Sequence, residues 1–366
     1  MKSLYIKNFK NIHELTLPRL GMVNLIVGKN SVGKSTLLEA ISLYLSNGSA
    51  EGIKQLLHNR GEELASRIDD GHEVFNKQHY LSLFTGYKED YSEDFYIEIA
   101  EYKDDSRSLK INQVYLVEER INDKDSTRVR ISMLSQDDLA AQGHSSDISD
   151  LGLCVRNGDV ATAISYARGR LFSPVEKKMK FEYVHTSDFD TERNASLFDK
   201  VALSPDEKYI VQALQVINPK ITRINYLNAD SLRRPENRIP IVTLEGDDKK
   251  YRLSAMGDGI NRILTIVLAM LNCRDGVLLL DEFETGLHYS IQDELWRMIF
   301  MLSEALNIQV FATSHSTDCV NSFARTSVEG QGMLIRLENR KGNIVAVDYA
   351  DKKELIFAVN NHIEMR

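Results

Sequence analysis

The chain has 366 residues, with 45 Lys and Arg against 53 Asp and Glu, which gives a formal net charge of −8. Hydrophobic residues make up 43% and charged residues 27%, while 6 Pro and 20 Gly exclude a collagen-like or largely disordered chain. The composition therefore indicates a folded protein, and the length is typical of about two domains. The negative charge argues against a protein that coats nucleic acid over its whole surface.

Membrane insertion and secretion are not indicated by the sequence. The longest apolar run, residues 263–271, is broken by Thr265 and is too short for a transmembrane helix. The first ten residues lack the apolar core of a secretory signal, so we expect a cytoplasmic protein without membrane contact. Cys154, Cys273 and Cys319 lie far apart and form no metal-binding pair, and we expect them to be reduced core residues.

The N-terminal segment has the order strand, loop, helix. Residues 2–6 and 12–17 predict short strands, and the apolar run 22–27 predicts a buried strand that ends in a glycine loop. Apolar residues at helical spacing predict a helix over 35–45.

The middle of the chain changes character twice. Alternating segments at 95–100, 114–117 and 129–133 predict an antiparallel β subdomain. The polar, turn-rich stretch 135–150 predicts a mobile loop, and 151–235 is interpreted as a helical insertion. Within that insertion, Ser204 as a cap and Pro205 at the first position predict a helix that runs to Ile217.

The C-terminal part alternates strands and helices, as in a parallel sheet with crossover helices. The predicted strands are 239–244, 277–280 and 309–312, and the predicted helices are 257–272 and 288–306. A hairpin and a closing helix are expected after residue 333.

One loop fits the phosphate-binding pattern G-x-x-x-x-G-K-[ST] and has the required strand before it and helix after it. Its backbone N–H groups and the helix N-terminus can bind phosphate oxygens, Lys34 can reach the β and γ phosphates, and Ser35 can bind Mg²⁺. The predicted ATP-binding residues are Gly28, Lys29, Asn30, Ser31, Val32, Gly33, Lys34, Ser35 and Thr36.

Two acidic residues follow the apolar strand 277–280. Asp281 and Glu282 should emerge at the carboxyl end of that strand, where ligands of open α/β sheets bind. We expect Asp281 to contact Mg²⁺, directly or through water, and Glu282 to orient or deprotonate the attacking water. His315, which follows the next apolar strand, could contact the γ phosphate or that water.

The motif segments, in chain order, are residues 4–12, 28–35, 253–259, 281–288 and 312–316. In these segments the sequence resembles ATP-binding-cassette (ABC) ATPase heads of the RecF and SMC type, and more closely the ATPase module of the OLD (overcoming lysogenization defect) family. The resemblance implies an α/β, ABC-type P-loop ATPase head with an antiparallel β subdomain and a helical insertion. It divides the chain into an N-terminal ATPase lobe at 1–134, a mobile loop and insertion at 135–235, and a C-terminal ATPase lobe at 236–366.

The resemblance also implies a signature that caps the γ phosphate of a partner subunit, so that active sites are completed only in a homodimer or a larger homo-oligomer. The signature residues would be Ser254, Gly257, Asp258 and Gly259. Depending on register, the signature serine is Ser254 or is replaced by Ala255. Gln78 and Gln113 are both candidates for the Q-loop glutamine.

Three functions remain to be compared. OLD nucleases carry a Toprim domain after the ATPase, and too few residues follow His315 for one, so we expect an ATPase switch for a separate nuclease or toxin effector in antiviral defence. The alternative is a RecF-like DNA-binding repair protein that uses basic clusters. A kinase or GTPase is disfavoured, because no Asn-Lys-x-Asp guanine motif is present. The basic clusters are Arg168, Arg170, Lys177, Lys178 and Lys180, and separately Arg233, Arg234 and Arg238.

Overall fold

The structure is a computed structural model, and it describes residues 1–60, 65–69, 72–75, 77–123, 126–142, 148–166, 171–172, 179–186, 191–228, 238–328, 330–349 and 352–360. The strands are β1 (Leu4–Phe9), β2 (Ile12–Leu17), β3 (Val23–Val27), β4 (Ala65–Asp69), β5 (His72–Phe75), β6 (Tyr96–Glu101), β7 (Asp104–Asp123), β8 (Ser126–Leu134), β9 (Ile148–Asn157), β10 (Val160–Ser165), β11 (Leu171–Phe172), β12 (Phe181–Val184), β13 (Ile221–Asn228), β14 (Arg238–Leu244), β15 (Asp247–Arg252), β16 (Val277–Leu280), β17 (Gln309–Ser314), β18 (Gly332–Arg340) and β19 (Asn343–Tyr349).

The helices are α1 (Lys34–Leu45), α2 (Ala50–His58), α3 (Lys77–Leu81), α4 (Gln136–Gln142), α5 (Thr191–Asp199), α6 (Glu207–Gln215), α7 (Asp258–Asn272), α8 (Tyr289–Leu306), α9 (Thr317–Thr326) and α10 (Lys352–Asn360). Two 3-10 turns lie at Thr85–Tyr87 and Leu253–Met256. Among the described residues, no helix has both the length and the apolar character needed to cross a membrane.

The first structural unit is assembled from the segments Met1–Arg19, Glu39–Met179 and Asn339–Ala346. Its centre is an eight-stranded sheet with the order β11-β10-β9-β7-β6-β1-β2, in which β8 also pairs with β7. All of these pairings are antiparallel. Ile97 and Ile99 on β6 are fully buried, as the period of two predicts for a sheet with one face on a core. The predicted antiparallel β subdomain is confirmed.

The second unit comprises Leu20–Leu38, Lys180–Glu338 and Val347–Arg366. Its main sheet has the order β12-β16-β17-β3-β18-β19, and the strands from β12 to β18 are parallel. β3 and β16 are buried along their whole length, which explains their unbroken apolar character. Asn24 is tolerated inside β3 because its amide donates to Gly21 O at 2.9 Å and Val310 O at 3.1 Å.

The carboxyl ends of three neighbouring strands in this sheet place the site. The registers pair Leu280 of β16 with Ala312 of β17, and Ser314 of β17 with Val27 of β3. The acidic pair after β16, the polar residues that end β17 and the loop after β3 therefore lie at one edge of the sheet, where open α/β sheets bind ligands.

The prediction of a helical insertion at 151–235 is wrong in its first part, where the described residues form strands. β9, β10 and β11 extend the antiparallel sheet, and β12 joins the parallel sheet beside β16. β9 pairs with β7 and β12 pairs with β16, both distant in sequence, so a local pattern could not identify these two pairings. The expected mobile loop is also corrected in part, because α4 begins inside it. Residues 143–147 of that loop lie outside the described residues.

Reciprocal capping explains why α4 forms. The Asp138 N–H donates to Ser135 Oγ at 3.1 Å, and the Ser135 N–H donates to the Asp138 carboxylate at 3.1 Å. The helix expected from residue 204 begins later, at Glu207. Leu203 is left-handed, with φ 62, and Ser204 Oγ accepts from the Asp206 N–H at 3.3 Å, so this serine forms a turn before the helix.

Two further expectations change. β14 was expected in the parallel sheet, but it lies in a separate antiparallel sheet, β13-β14-β15. The turn between β14 and β15 contains Gly246 at φ 71, and so tight a turn joins only antiparallel strands. The predicted consecutive segments 1–134, 135–235 and 236–366 also differ from the two observed units, because each unit is built from segments far apart in the chain.

The three cysteines are buried free thiols, as predicted. Burial raises the pKa of the Cys273 thiol to about 12, so this side chain stays protonated and packs as a small apolar group.

Candidate nucleotide-binding site

The loop between β3 and α1 has the backbone conformation of a phosphate cradle. Gly28 and Gly33 have φ values of 150 and 104, and Ser31 has φ 61. A Cβ on Gly28 would lie 2.6 Å from Leu337 O, so only glycine fits there. The successive positive φ values turn the chain back on itself, which lets the N–H groups of such a loop converge on an anion.

Burial separates the nine predicted ATP-binding residues into an exposed, a buried and a half-buried group. Lys29, Asn30 and Ser31 are exposed at the tip of the loop, whereas Gly28, Val32, Gly33 and Thr36 are buried beneath it. Lys34 and Ser35 are half-buried at the first turn of α1, between these groups. The exposed tip and the half-buried Lys34 and Ser35 are the parts that a ligand can reach.

Lys34 is held against its own loop. Its Nζ donates to Gly28 O at 2.8 Å and to Lys29 O at 3.1 Å. Burial lowers the pKa of Lys34, while the carboxylates of Glu284, Asp281 and Glu282 act in the opposite direction. A phosphate at this position would stabilise the ammonium ion, because it restores the opposite charge that the partly desolvated side chain lacks.

Asp281 joins the acidic strand end to the phosphate loop. Its Oδ1 accepts from Ser35 Oγ at 3.2 Å and from Thr313 Oγ1 at 2.5 Å, and its N–H donates to Val184 O at 2.9 Å. Hydroxyl and carboxylate oxygens are the ligands that Mg²⁺ prefers, and it usually takes one or two protein ligands together with phosphates and water. Ser35 and Asp281 therefore fit a magnesium ion that is shared with a nucleotide.

Glu282 occupies a strained conformation beside Asp281. Its φ is 48, in the left-handed region that a side chain of this size rarely adopts. The N–H of Glu282 donates to Thr313 Oγ1 at 2.8 Å, and Thr285 Oγ1 donates to its carboxylate at 3.2 Å. These two bonds hold the strained residue in place, which is typical of positions where geometry serves a ligand.

His315 lies at the same sheet edge and is paired with a residue that sequence reasoning did not assign to the site. The Glu284 Oε1 accepts from the main-chain N–H of His315 at 2.9 Å and lies 3.2 Å from its Nδ1. The side chain of His315 is 49% exposed and that of Glu284 is 11% exposed. Only the spacing of Glu284, two residues after Glu282 in the acidic motif, could have drawn attention to it.

Arg262 is a second residue that the sequence did not indicate. It is fully buried on α7, and its guanidinium donates to His185 O at 2.8 Å, Asp281 O at 2.7 Å and Glu282 O at 3.1 Å. These bonds tie the helix that follows the signature to the carboxyl end of the acidic strand. A planar guanidinium donates in several fixed directions, so it suits these three carbonyl oxygens better than the ammonium ion of a lysine would.

The predicted signature lies on the surface. Ser254, Ala255 and Gly257 are exposed, and Gly257 precedes the first residue of α7 with φ 99 and open space where a side chain would project. No hydrogen bond among the described residues joins Ser254, Gly257 or Gly259 to the phosphate loop. The backbone position of Asp258 starts α7. An exposed helix N-terminus of this kind is free to meet a separate molecule.

Most of the predicted basic clusters lie outside the described residues, namely Arg168, Arg170, Lys177, Lys178, Arg233 and Arg234. Of the remaining two cations, Arg238 pairs with the Asp199 carboxylate at 2.5 and 2.9 Å. Lys180 is exposed.

Gln113, one of the two candidates for the Q-loop glutamine, is fully buried. Its side chain donates to Lys88 O at 2.8 Å within the first unit.

Comparison with known proteins identifies the family of this nucleotide-binding fold. The profile described as AAA ATPase domain matches residues 1–188 and 176–320. The chain belongs to the AAA ATPase domain family. The match spans the phosphate loop, the acidic pair and His315, so the three predicted motifs lie inside the family region.

Relatives and solved structures agree with this assignment. The ATP/GTP phosphatase of Helicobacter pylori is 25% identical over 347 residues, covering 87% of this chain and 86% of that protein. RecF of Actinobacillus pleuropneumoniae is 38% identical over 76 residues, but this stretch is 19% of the chain and 21% of RecF. An SMC head bound to the C-winged helix domain of ScpA superposes with a TM-score of 0.52 at 13% identity, covering 97% of this chain and 99% of that chain. The predicted ABC-type, RecF/SMC-like head is confirmed as the fold.

Proposed function

We propose that this AAA ATPase domain protein binds and hydrolyses ATP with Mg²⁺, and that it acts as a nucleotide-dependent switch. The observation that carries the proposal is the preformed contact between Ser35 of the phosphate loop and Asp281 of the acidic strand, 3.2 Å apart. Two segments 246 residues apart in sequence meet there as a pair of hard oxygen ligands. Phosphoryl transfer needs this combination of phosphate cradle and acidic metal ligand.

Each residue has a separate role in this proposal. The N–H groups of residues 28–36 and Lys34 would bind the phosphates, while Ser35 and Asp281 would hold Mg²⁺, which would supply neutralisation of charge on the phosphate oxygens. Glu282 orients or deprotonates the attacking water, and His315 contacts the γ phosphate or the same water.

The switch requires a second copy of the chain. The exposed residues around Ser254 and Gly257 would cap the γ phosphate bound by a partner, so that two copies enclose two nucleotides. Hydrolysis removes this contact and favours separation, which couples turnover to a change in assembly. The SMC head neighbour supports this proposal at the level of its fold.

The proposed biological role rests on the resemblance to the OLD family. We infer that the chain is an OLD-type ATPase module, and that its closed dimer controls a separate nuclease or toxin in antiviral defence. A RecF-like DNA-binding repair role is the second candidate, and the RecF similarity over 76 residues supports it. A salt-dependent, ATP-dependent shift of labelled duplex DNA would favour the RecF-like role. Co-purification of a stable complex with a nuclease would favour the switch.

Isothermal titration of the purified protein with ATP and Mg²⁺ tests nucleotide binding. We expect Lys34→Ala to abolish binding, since it removes the ammonium ion that faces the phosphates, whereas the exposed control Lys249→Ala should bind like wild type. Unchanged affinity in Lys34→Ala would contradict the assignment of the phosphate loop.

A further inference from the structure

Glu284 is the acidic residue of the site that the proposed chemistry does not use. It follows β16 by four positions, and its side chain is 11% exposed. One carboxylate oxygen, Oε1, contacts His315 twice, through the main-chain N–H at 2.9 Å and through Nδ1 at 3.2 Å. These two contacts fix the main-chain position of His315 and the orientation of its ring.

The other carboxylate oxygen of Glu284, Oε2, is buried and has no hydrogen-bond partner among the described residues. A buried carboxylate oxygen without a donor is costly, and native proteins usually satisfy such atoms with a ligand or a bound water. The same carboxylate acts on Lys34 more strongly than Asp281 or Glu282 does, which places its charge near the phosphate end of the site.

We propose that Glu284 is a positioning residue that holds the His315 ring by its Nδ1, so that Nε2 is directed to the terminal phosphate or the attacking water. This inference rests on the proposed ATPase function. The Nδ1–H donates to Oε1, and this hydrogen bond fixes the tautomer, because a neutral imidazole carries its proton on only one nitrogen. Since His315 is 49% exposed, its ring would rotate freely without this bond.

Nitrogen NMR of the nucleotide-free protein tests the geometry without depending on turnover. In protein labelled with ¹⁵N-histidine, the signals missing from His315→Ala identify His315. We expect wild type to show the Nδ1–H tautomer, and Glu284→Ala to show a mixture of both tautomers. The exposed control Glu304→Ala should leave the signals unchanged. An unchanged His315 tautomer in Glu284→Ala would overturn the proposal.

Turnover gives an independent second measurement. We expect Glu284→Ala and His315→Ala each to lower kcat by about 10- to 100-fold with little change in nucleotide affinity, since each loses the orientation of the same ring. The double variant should be no more than about twofold slower than either single variant, because residues that act as a unit are not additive. Glu284→Gln keeps an acceptor oxygen and should restore part of the rate.

The outcomes separate the two proposals. Losses that multiply in the double variant would show that Glu284 acts independently of His315, and the positioning role would be wrong. Failure of wild type to bind ATP would instead refute the proposed function, and the NMR result would still decide whether Glu284 orients the ring. Circular dichroism melting of each variant shows whether it is folded, and Glu284→Gln supplies a folded variant if Glu284→Ala does not fold.

Discussion

At the scale of single residues, the proposal assigns metal binding and water activation to two neighbouring carboxylates. Glu282 is hydrogen-bonded to Thr285 and Thr313 and follows Asp281, the proposed metal ligand. Glu282→Gln keeps the shape and the acceptor oxygen while it removes the base. We expect turnover to fall by about 10²- to 10⁴-fold with ATP affinity retained, as measured by phosphate release and isothermal titration. The exposed Glu304→Gln serves as a control, and wild-type turnover in Glu282→Gln would assign water activation to another residue.

The sequence predicted the motif residues of this site, including Asp281, Glu282 and His315, and missed Glu284 and Arg262. Residues 28–36 form a local motif whose chemistry depends on neighbouring backbone atoms, so spacing alone was informative. Glu284 and Arg262 acquire their roles through partners 31 and 19 residues away, and such contacts depend on how strands and helices pack. No sequence pattern shows that an arginine in such a helix is buried, because the other residues on that face are apolar.

At the scale of elements, the start of α7 rests against the turn after the acidic strand. Gly259 has no room for a side chain, because a Cβ there would lie 2.8 Å from Gly286 O. In the same turn the Leu287 N–H donates to Glu284 O at 2.9 Å. The start of α7 and the turn after the acidic strand are thus in direct contact within one chain.

Gly259→Ala tests this contact. We expect it to push the turn away, to lower the free energy of unfolding by about 1–3 kcal/mol and to reduce turnover, as overpacking in a tight contact does. Urea unfolding and phosphate release provide the measurements, with Asn261→Ala on the same helix as the control. Wild-type stability and turnover would show that the turn moves without cost.

Element prediction succeeded where burial is uniform and failed where pairing is distant. β16 was predicted with its observed bounds, because a fully buried parallel strand is an uninterrupted apolar run. β9 and β10 were assigned to a helical insertion, although β9 pairs with both β7 and β10. Half-buried strands take their identity from neighbours, which the local sequence does not contain.

At the scale of the whole molecule, each proposed site combines the phosphate loop of one chain with the signature of another. Lys34→Ala disables the loop, and Gly257→Asp places a negative charge where the γ phosphate should be met. We expect each variant alone to be inactive. An equal mixture should regain about a quarter of wild-type turnover, because half of the dimers contain one intact composite site of two. An inactive mixture would indicate sites completed within single chains.

The most direct test of the account is native mass spectrometry of Glu282→Gln with ATP and Mg²⁺. One spectrum reports both the number of chains and the number of bound nucleotides. We expect a species of about twice the 41.6 kDa chain mass that carries two ATP molecules, and none of this species with ADP. A spectrum that contains only the 41.6 kDa chain, with or without one ATP, would contradict the nucleotide-sandwich dimer.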